Sequence, residues 1–369
     1  MRRSGRRYRS GRAAEHYDVI VIGSGIGGLS LAALMTKLGK RVCVLEQHYT
    51  AGGFTHSYER EGFEWDVGVH YIGEVHKPHS TLRRLFDVIS DGALKWAPMD
   101  PVYDRIIIGD RRVDFTAGRG ALADNLIAHF RAEEAAIRRY IELIGEAARS
   151  AQKFFAGQAM PRWLGRTYHA ARPLLVPKNC FRSVRDVLEE LTSNQELIGV
   201  LTGQWGDYGM VPRDASFLMH ATVVKHYFGG GSYPVGGSWM IPETIVPVIR
   251  AGGGEVFTYA KVEDIVIEQG RATGVRMANG DILRADQIVS SAGARVTFEQ
   301  LLPVALRESL GYPAKLKQVK TSGAHLCIYA GFKGSAAELG LPKTNLWIYP
   351  NEHHEVNVAA FQADVNAPF

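Results

Sequence analysis

"YDVIVIGSGIGGLSLAALMTKLGKRVCVLEQ", residues 17–47, is the stretch on which the fold turns. Tyr17 to Ile22 is a β-rich apolar run, the pattern of a parallel strand buried on both faces. Gly23, Gly25 and Gly28 follow at G-x-G-x-x-G spacing, with Ser24, Ile26 and Gly27 completing the turn. Leu29 to Leu38 has helical periodicity and ends at Gly39. Arg41 to Leu45 reads as a second buried strand, closed by Glu46 and Gln47. In such a unit the first glycine permits the tight turn off the strand. The second lets the backbone approach a pyrophosphate, and the third lets helix and sheet pack closely. The phosphates then meet free N–H groups at the helix N-terminus. An acid at Glu46 suits an adenosine ribose and disfavours a 2′-phosphate. The expectation is an α/β protein with a Rossmann-like dinucleotide site.

The uncharged run from Val19 to Thr36, preceded by arginines, imitates a signal peptide or membrane span. Its four interrupting glycines and its division into strand, turn and helix argue for a folded unit instead. Working outward, a length of 369 residues with 46% hydrophobic side chains suggests two structural units. The net charge of +5 hints at nucleic acid, but its distribution does not. Arg2, Arg3, Arg6, Arg7, Arg9 and Arg12 all precede the first acid, Glu15, and the remainder is close to neutral. Residues 1–15 therefore read as a disordered basic arm drawn to anionic surfaces such as a membrane, and no nucleic-acid partner is expected. Cys43, Cys180 and Cys327 lie far apart, so neither a disulfide framework nor a metal site is expected. A reducing, cytoplasmic compartment is the expectation, with peripheral membrane contact.

After Glu46 a second glycine pair, Gly52-Gly53, leads into "GFEWDVGVHYIG", residues 62–73. Together with residues 19–53 this stretch resembles the opening of the FAD-dependent phytoene desaturase and carotenoid isomerase superfamily, within it the retinol saturase-like oxidoreductases. The resemblance continues through the Pro-x-Gly-Gly turn at Pro234, Gly236 and Gly237 and through "ADQIVSSAGA", residues 285–294. It implies FAD as cofactor, with NAD(P)H as a candidate electron donor. It also implies Gly52 and Gly53 beside the cofactor, Val262 beside the adenine, and Ala292 and Gly293 as small residues allowing close approach. A further glycine-rich segment usual in this family is not found after Gly293, so the chain reads as a C-terminally truncated member.

The expected organisation is the arm at 1–15, a first FAD-binding part at 16–75 and a largely helical inserted substrate domain at 76–230. A second FAD-binding part follows at 231–300, and an incomplete substrate-domain sheet at 301–369. Within the insertion, residues 105–108 and 112–115 read as a hairpin, and 121–155 as one long helix. Residues 151–181 combine apolar, aromatic and basic side chains and could border a lipophilic tunnel or a membrane interface. "GQWGDYGMVPRDASF", residues 203–217, reads as a loop. His70 and Tyr71 are the candidate catalytic pair, because saturating a polyene requires a proton donor beside the hydride source. The competing reading is that they only line the cavity. His220, His226, His353 and His354 read as structural. The expected function is saturation, desaturation or isomerisation of C=C bonds in a lipophilic polyene or isoprenoid. The alternatives are a flavin amine oxidase or protoporphyrinogen oxidase relative, and a prenyl-binding escort without redox chemistry. Oligomeric state is not legible.

Overall fold

The computed structural model describes residues 3–69, 71–157, 160–319, 323 and 325–367. A seven-stranded sheet carries the nucleotide half. Its spatial order is Arg6–Arg7, Glu255–Thr258, Val42–Leu45, His16–Ile22, Ile282–Ser290, Arg271–Met277, Val262–Glu268. The first five run parallel and the last three pair antiparallel. Val42–Leu45 is wholly buried, as a central parallel strand must be. The helix Ile26–Lys37 and a second helix, Met240–Ala251, pack together and bury Leu29, Ala32, Ile245 and Ile249 with Val19, Val21 and Val44.

Residues 1–15 are expected as a disordered arm, but the described part, from Arg3 onward, is packed. Arg6–Arg7 extends the sheet edge beside Phe257 and Thr258. Tyr8 is buried edge-on against Phe257, and its hydroxyl donates to Asp281 Oδ2 at 2.7 Å. Ser4 N–H donates to Thr50 Oγ1, and Ala51 N–H donates back to Ser4 O. The reason is twofold. An uncovered Glu255–Thr258 edge would leave backbone groups unpaired. Arg6 also lies 3.7 Å from Glu255, and the Ser10 hydroxyl donates to Asp281, acids more than 240 residues away.

The inserted half is built on the hairpin Val102–Ile108 and Arg111–Thr116, which gains a parallel third strand, Asn345–Tyr349. Helices Arg119–His129 and Glu134–Ala156 cover it, together with the shorter Val184–Glu189, Gln195–Leu201 and Phe217–His226. The single helix expected at 121–155 is broken at 130–133, where the chain turns to bury Phe130 beneath the Arg111 guanidinium. Ile106, Val113, Leu122, Ile137, Ile144 and Phe217 fill this second core. A small antiparallel sheet of Ile72–Gly73, Gly231–Pro234 and Trp96–Pro98 joins the two halves.

Candidate active site

The cradle begins where the strand His16–Ile22 ends. Gly23 turns the chain at a φ of +94°, and its N–H donates to Leu45 O at 2.8 Å. A Cβ on Gly28 would lie 2.3 Å from Gly23 O, so only glycine allows this closeness of helix and strand. A Cβ on Gly25 would meet nothing within 4 Å. The helix starting at Ile26 has no side-chain cap and no acid in its first turn, which leaves its first N–H groups for an anion. Glu46, at the end of the next strand, is half-buried. Its Oε2 accepts from Ser24 N–H at 2.9 Å and Ser24 Oγ at 2.7 Å, and its Oε1 from His48 N–H at 2.8 Å. A carboxylate has further lone pairs, so this bracing orients it while leaving capacity for ribose hydroxyls.

The remaining expected cofactor positions converge on the same place. Gly52 N–H donates to Ser24 O at 3.1 Å, and Gly52 and Gly25 form an isolated parallel bridge. Gly53 passes so close that its Cβ would stand 2.9 Å from Gly25 Cα. Gln47 is exposed on the rim. Ser291 N–H donates to Ile22 O, which sets Ala292 and Gly293 beside the first turn, with open space at Gly293. The Val262 side chain is packed in the core, so a ligand would meet only its backbone. Free donors, open space and a braced acid thus stand together, as a dinucleotide with an anionic middle and a ribose end requires.

Beside the cradle opens a cavity of about 530 Å³. Ile26 and Thr55 belong to the cradle side, and Val69, Ile72, Phe86 and Ile241 make an apolar wall. That size and lining suit a small organic ligand. His70 lies outside the described residues. Tyr71 lines the cavity, but its hydroxyl donates at 2.6 Å to Asp104 Oδ2, a fully buried carboxylate that also accepts from Gln204 Nε2 at 2.6 Å. Burial, and then the neighbouring carboxylates, push the Tyr71 phenol far above its usual range. His226 also reaches the cavity, with Nε2 accepting from Gly73 N–H at 2.8 Å, and burial lowers its pKa to about 4. His220 is buried beside the hydroxyls of Tyr140 and Tyr208 at 2.9 and 3.2 Å, and burial lowers it to about 3. Both are neutral near pH 7.

One titratable cavity group is absent from the sequence-based candidates. Asp207 sits in the short turn Trp205–Tyr208, within the stretch read as a plain loop. Asp207 is exposed and lines the cavity, and Tyr71, Tyr227 and Asp104 stand close enough to it to interact electrostatically. Partial loss of hydration beside the cavity wall, and secondly the Asp104 charge, push its pKa up to about 7. The Gly-Asp pair was the available signal, but nothing local distinguishes it from an ordinary turn.

This architecture and cradle define a Rossmann-like dinucleotide-binding fold of the oxidoreductase type. Residues 21–89 match the family model described as NAD(P)-binding Rossmann-like domain. The chain is 37% identical to all-trans-retinol 13,14-reductase of Danio rerio and 31% to an inactive all-trans-retinol 13,14-reductase of the same species, in each case over 93% of its length. It is 28% identical to prolycopene isomerase 1 of an Oncidium hybrid cultivar over 79% of its length and 51% of the relative's. A solved oxidoreductase from Methanosarcina mazei superposes with a TM-score of 0.59 at 18% identity, over 82% of this chain and 65% of that one. Nearly the whole chain is thus similar to part of the all-trans-retinol 13,14-reductases and, at lower identity, of the prolycopene isomerases. It spans 58% of the length of both Danio rerio relatives.

Proposed function

We propose that this protein is an FAD-dependent oxidoreductase acting on a C=C bond of a lipophilic polyene, retinoid or carotenoid in kind. The observation that carries the reading is the continuity of the cradle with an apolar cavity: Ile26 and Thr55 border both. FAD is favoured over a nicotinamide as the resident group because a second glycine turn, Gly52-Gly53, is stitched onto the first. The N-terminus of helix Ile26–Lys37 would hold the pyrophosphate and Glu46 the ribose. Bound FAD supplies two-electron chemistry. The chain's own residues exclude water with Val69, Ile72, Phe86 and Ile241 and orient the polyene along that wall.

The test is flavin content of the purified chain, followed by anaerobic incubation with reduced flavin and all-trans-retinol or a carotenoid. About one FAD per chain and a saturated, desaturated or isomerised product support the reading. Stoichiometric FAD with every polyene unchanged, but oxygen uptake with amines, would replace it by an amine-oxidase function.

We further propose that a membrane surface supplies the substrate. From Ala147 to Arg185 there is no acid, while Lys153, Arg166 and Lys178 are exposed. Trp163 and Leu174 on the helix Arg162–Leu175 are 72% and 89% exposed. An apolar, aromatic and basic surface is what an anionic lipid interface binds. No helix among the described residues is long and apolar enough to cross a membrane.

A further inference from the structure

We infer that Asp207 is the proton-transferring residue of the cavity, delivering a proton to one carbon of the substrate double bond and removing it in the reverse direction. The inference rests on the polyene reading for its substrate, and on geometry for its residue. Apart from His325, the other described polar side chains of that wall are committed elsewhere. The Tyr71 hydroxyl donates to Asp104, and the Tyr227 hydroxyl points to Tyr71 O at 3.4 Å. Thr55 Oγ1 donates to Gly52 O, and His226 Nε2 is occupied by Gly73 N–H. Among the described residues no side chain hydrogen-bonds the Asp207 carboxyl, and no cation pairs with it. It faces the apolar space that Ile26, Val69 and Ile72 define.

Two carboxyls thus share the region with different fates. Asp104 accepts from Tyr71 and Gln204. Those hydrogen bonds favour the charged form of Asp104, although burial outweighs them and its net pKa shift is upward; Asp207 has no such donors, so of the two it holds a proton more readily. Other titratable groups that act on this region are the phenols of Tyr208 and Tyr349, with His325 at the cavity mouth. Tyr208 and Tyr349 are neutral, because burial and nearby carboxylates raise their pKa.

The step balances as follows. In saturation, the π bond breaks and two C–H bonds form. A reduced flavin held by the N-terminus of helix Ile26–Lys37 and by Glu46 would supply the hydride, hence both electrons, and would itself be oxidised. Asp207 supplies the proton to the adjacent carbon, and solvent then reprotonates the carboxylate. Desaturation is the reverse, with Asp207 accepting the proton.

The experiment compares wild type with Asp207→Asn and Asp207→Glu in three readouts. Infrared difference titration of the whole chain should show a carboxyl losing its proton near pH 7, absent from D207N. Thermal unfolding should show D207N unfolding at a higher Tm than wild type at pH 8, with the gap shrinking as pH falls and closing only at about pH 3, below the unfolded carboxyl range. The sign follows because a carboxyl with a raised folded pKa loses stability as pH rises toward that pKa. In turnover, D207N should lower kcat about 100-fold or more with KM within about twofold, and D207E should recover part of the loss. An unchanged neutral-range carboxyl in D207N, or full kcat in D207N, overturns the assignment. If wild type converts no polyene, the proposed function fails, while titration and unfolding still decide whether Asp207 is the cavity's neutral acid.

Discussion

Gly25 and Gly28 are three residues apart and do different work. A Cβ at Gly28 collides with Gly23 O, whereas one at Gly25 enters open space from an ordinary φ of −61°. Gly28→Ala should therefore lower Tm and abolish flavin binding, while Gly25→Ala should keep the wild-type Tm and still lose flavin. Flavin absorbance and thermal unfolding of the two variants check this. Tyr71→Phe should destabilise the chain by about 1–3 kcal/mol, because it strips one of two donors from the buried Asp104 carboxylate, measurable by urea unfolding. The cradle residues are legible in the sequence because the chemistry is local: turn, helix start and acid lie within residues 23–46. Tyr71 is legible as a cavity residue, but its partner Asp104 is 33 positions away, and that partner decides what its proton can do. Asp207 is not legible at all, since its surroundings come from segments near 71, 104 and 227.

At the scale of elements, the helix His354–Ala363 is held to the insertion by a nearly buried ion pair. Arg185 Nη2 lies 2.6 Å from Glu355 Oε2, Arg185 Nη1 donates to Gln195, and Glu355 Oε1 accepts from Arg213 N–H. Burial alone would raise the Glu355 pKa, but the Arg185 guanidinium outweighs it and the net shift is downward. A depressed folded pKa contributes stability above the unfolded carboxyl range, and that stability is lost as pH falls through the folded value. Glu355→Ala should destabilise by about 3 kcal/mol at pH 7, with a smaller loss at pH 3, read by chemical unfolding at both pH values. The strands and the hairpin follow visible periodicity, whereas the break at 130–133 carries no Gly or Pro and exists because Phe130 packs under Arg111. The arm misleads for a similar reason: its charge density suggests solvation, yet Tyr8 and the open strand edge beside it reward docking.

For the whole molecule, docking of the arm moves the expected membrane contact from the N-terminus to residues 153–178. Vesicles containing phosphatidylserine should bind the chain, and Trp163→Ala with Leu174→Ala should weaken that binding. Arg166→Glu and Lys178→Glu should each weaken it by about 1 kcal/mol, about fivefold, at low salt and by less in 0.5 M salt, while deletion of residues 1–3 should leave it unchanged; sedimentation with vesicles reads all of these. The sheet order has another consequence, in time rather than space. The neighbour of His16–Ile22, the strand Ile282–Ser290, leaves the ribosome some 270 residues after it. At about 5–20 residues per second that interval is roughly 15–50 s. During it an apolar strand built for burial on both faces has only Val42–Leu45 beside it, and Arg6–Arg7 has no partner before Glu255–Thr258 appears. The nucleotide half thus completes its sheet, and with it the place for a cofactor, only after the inserted half has been synthesised.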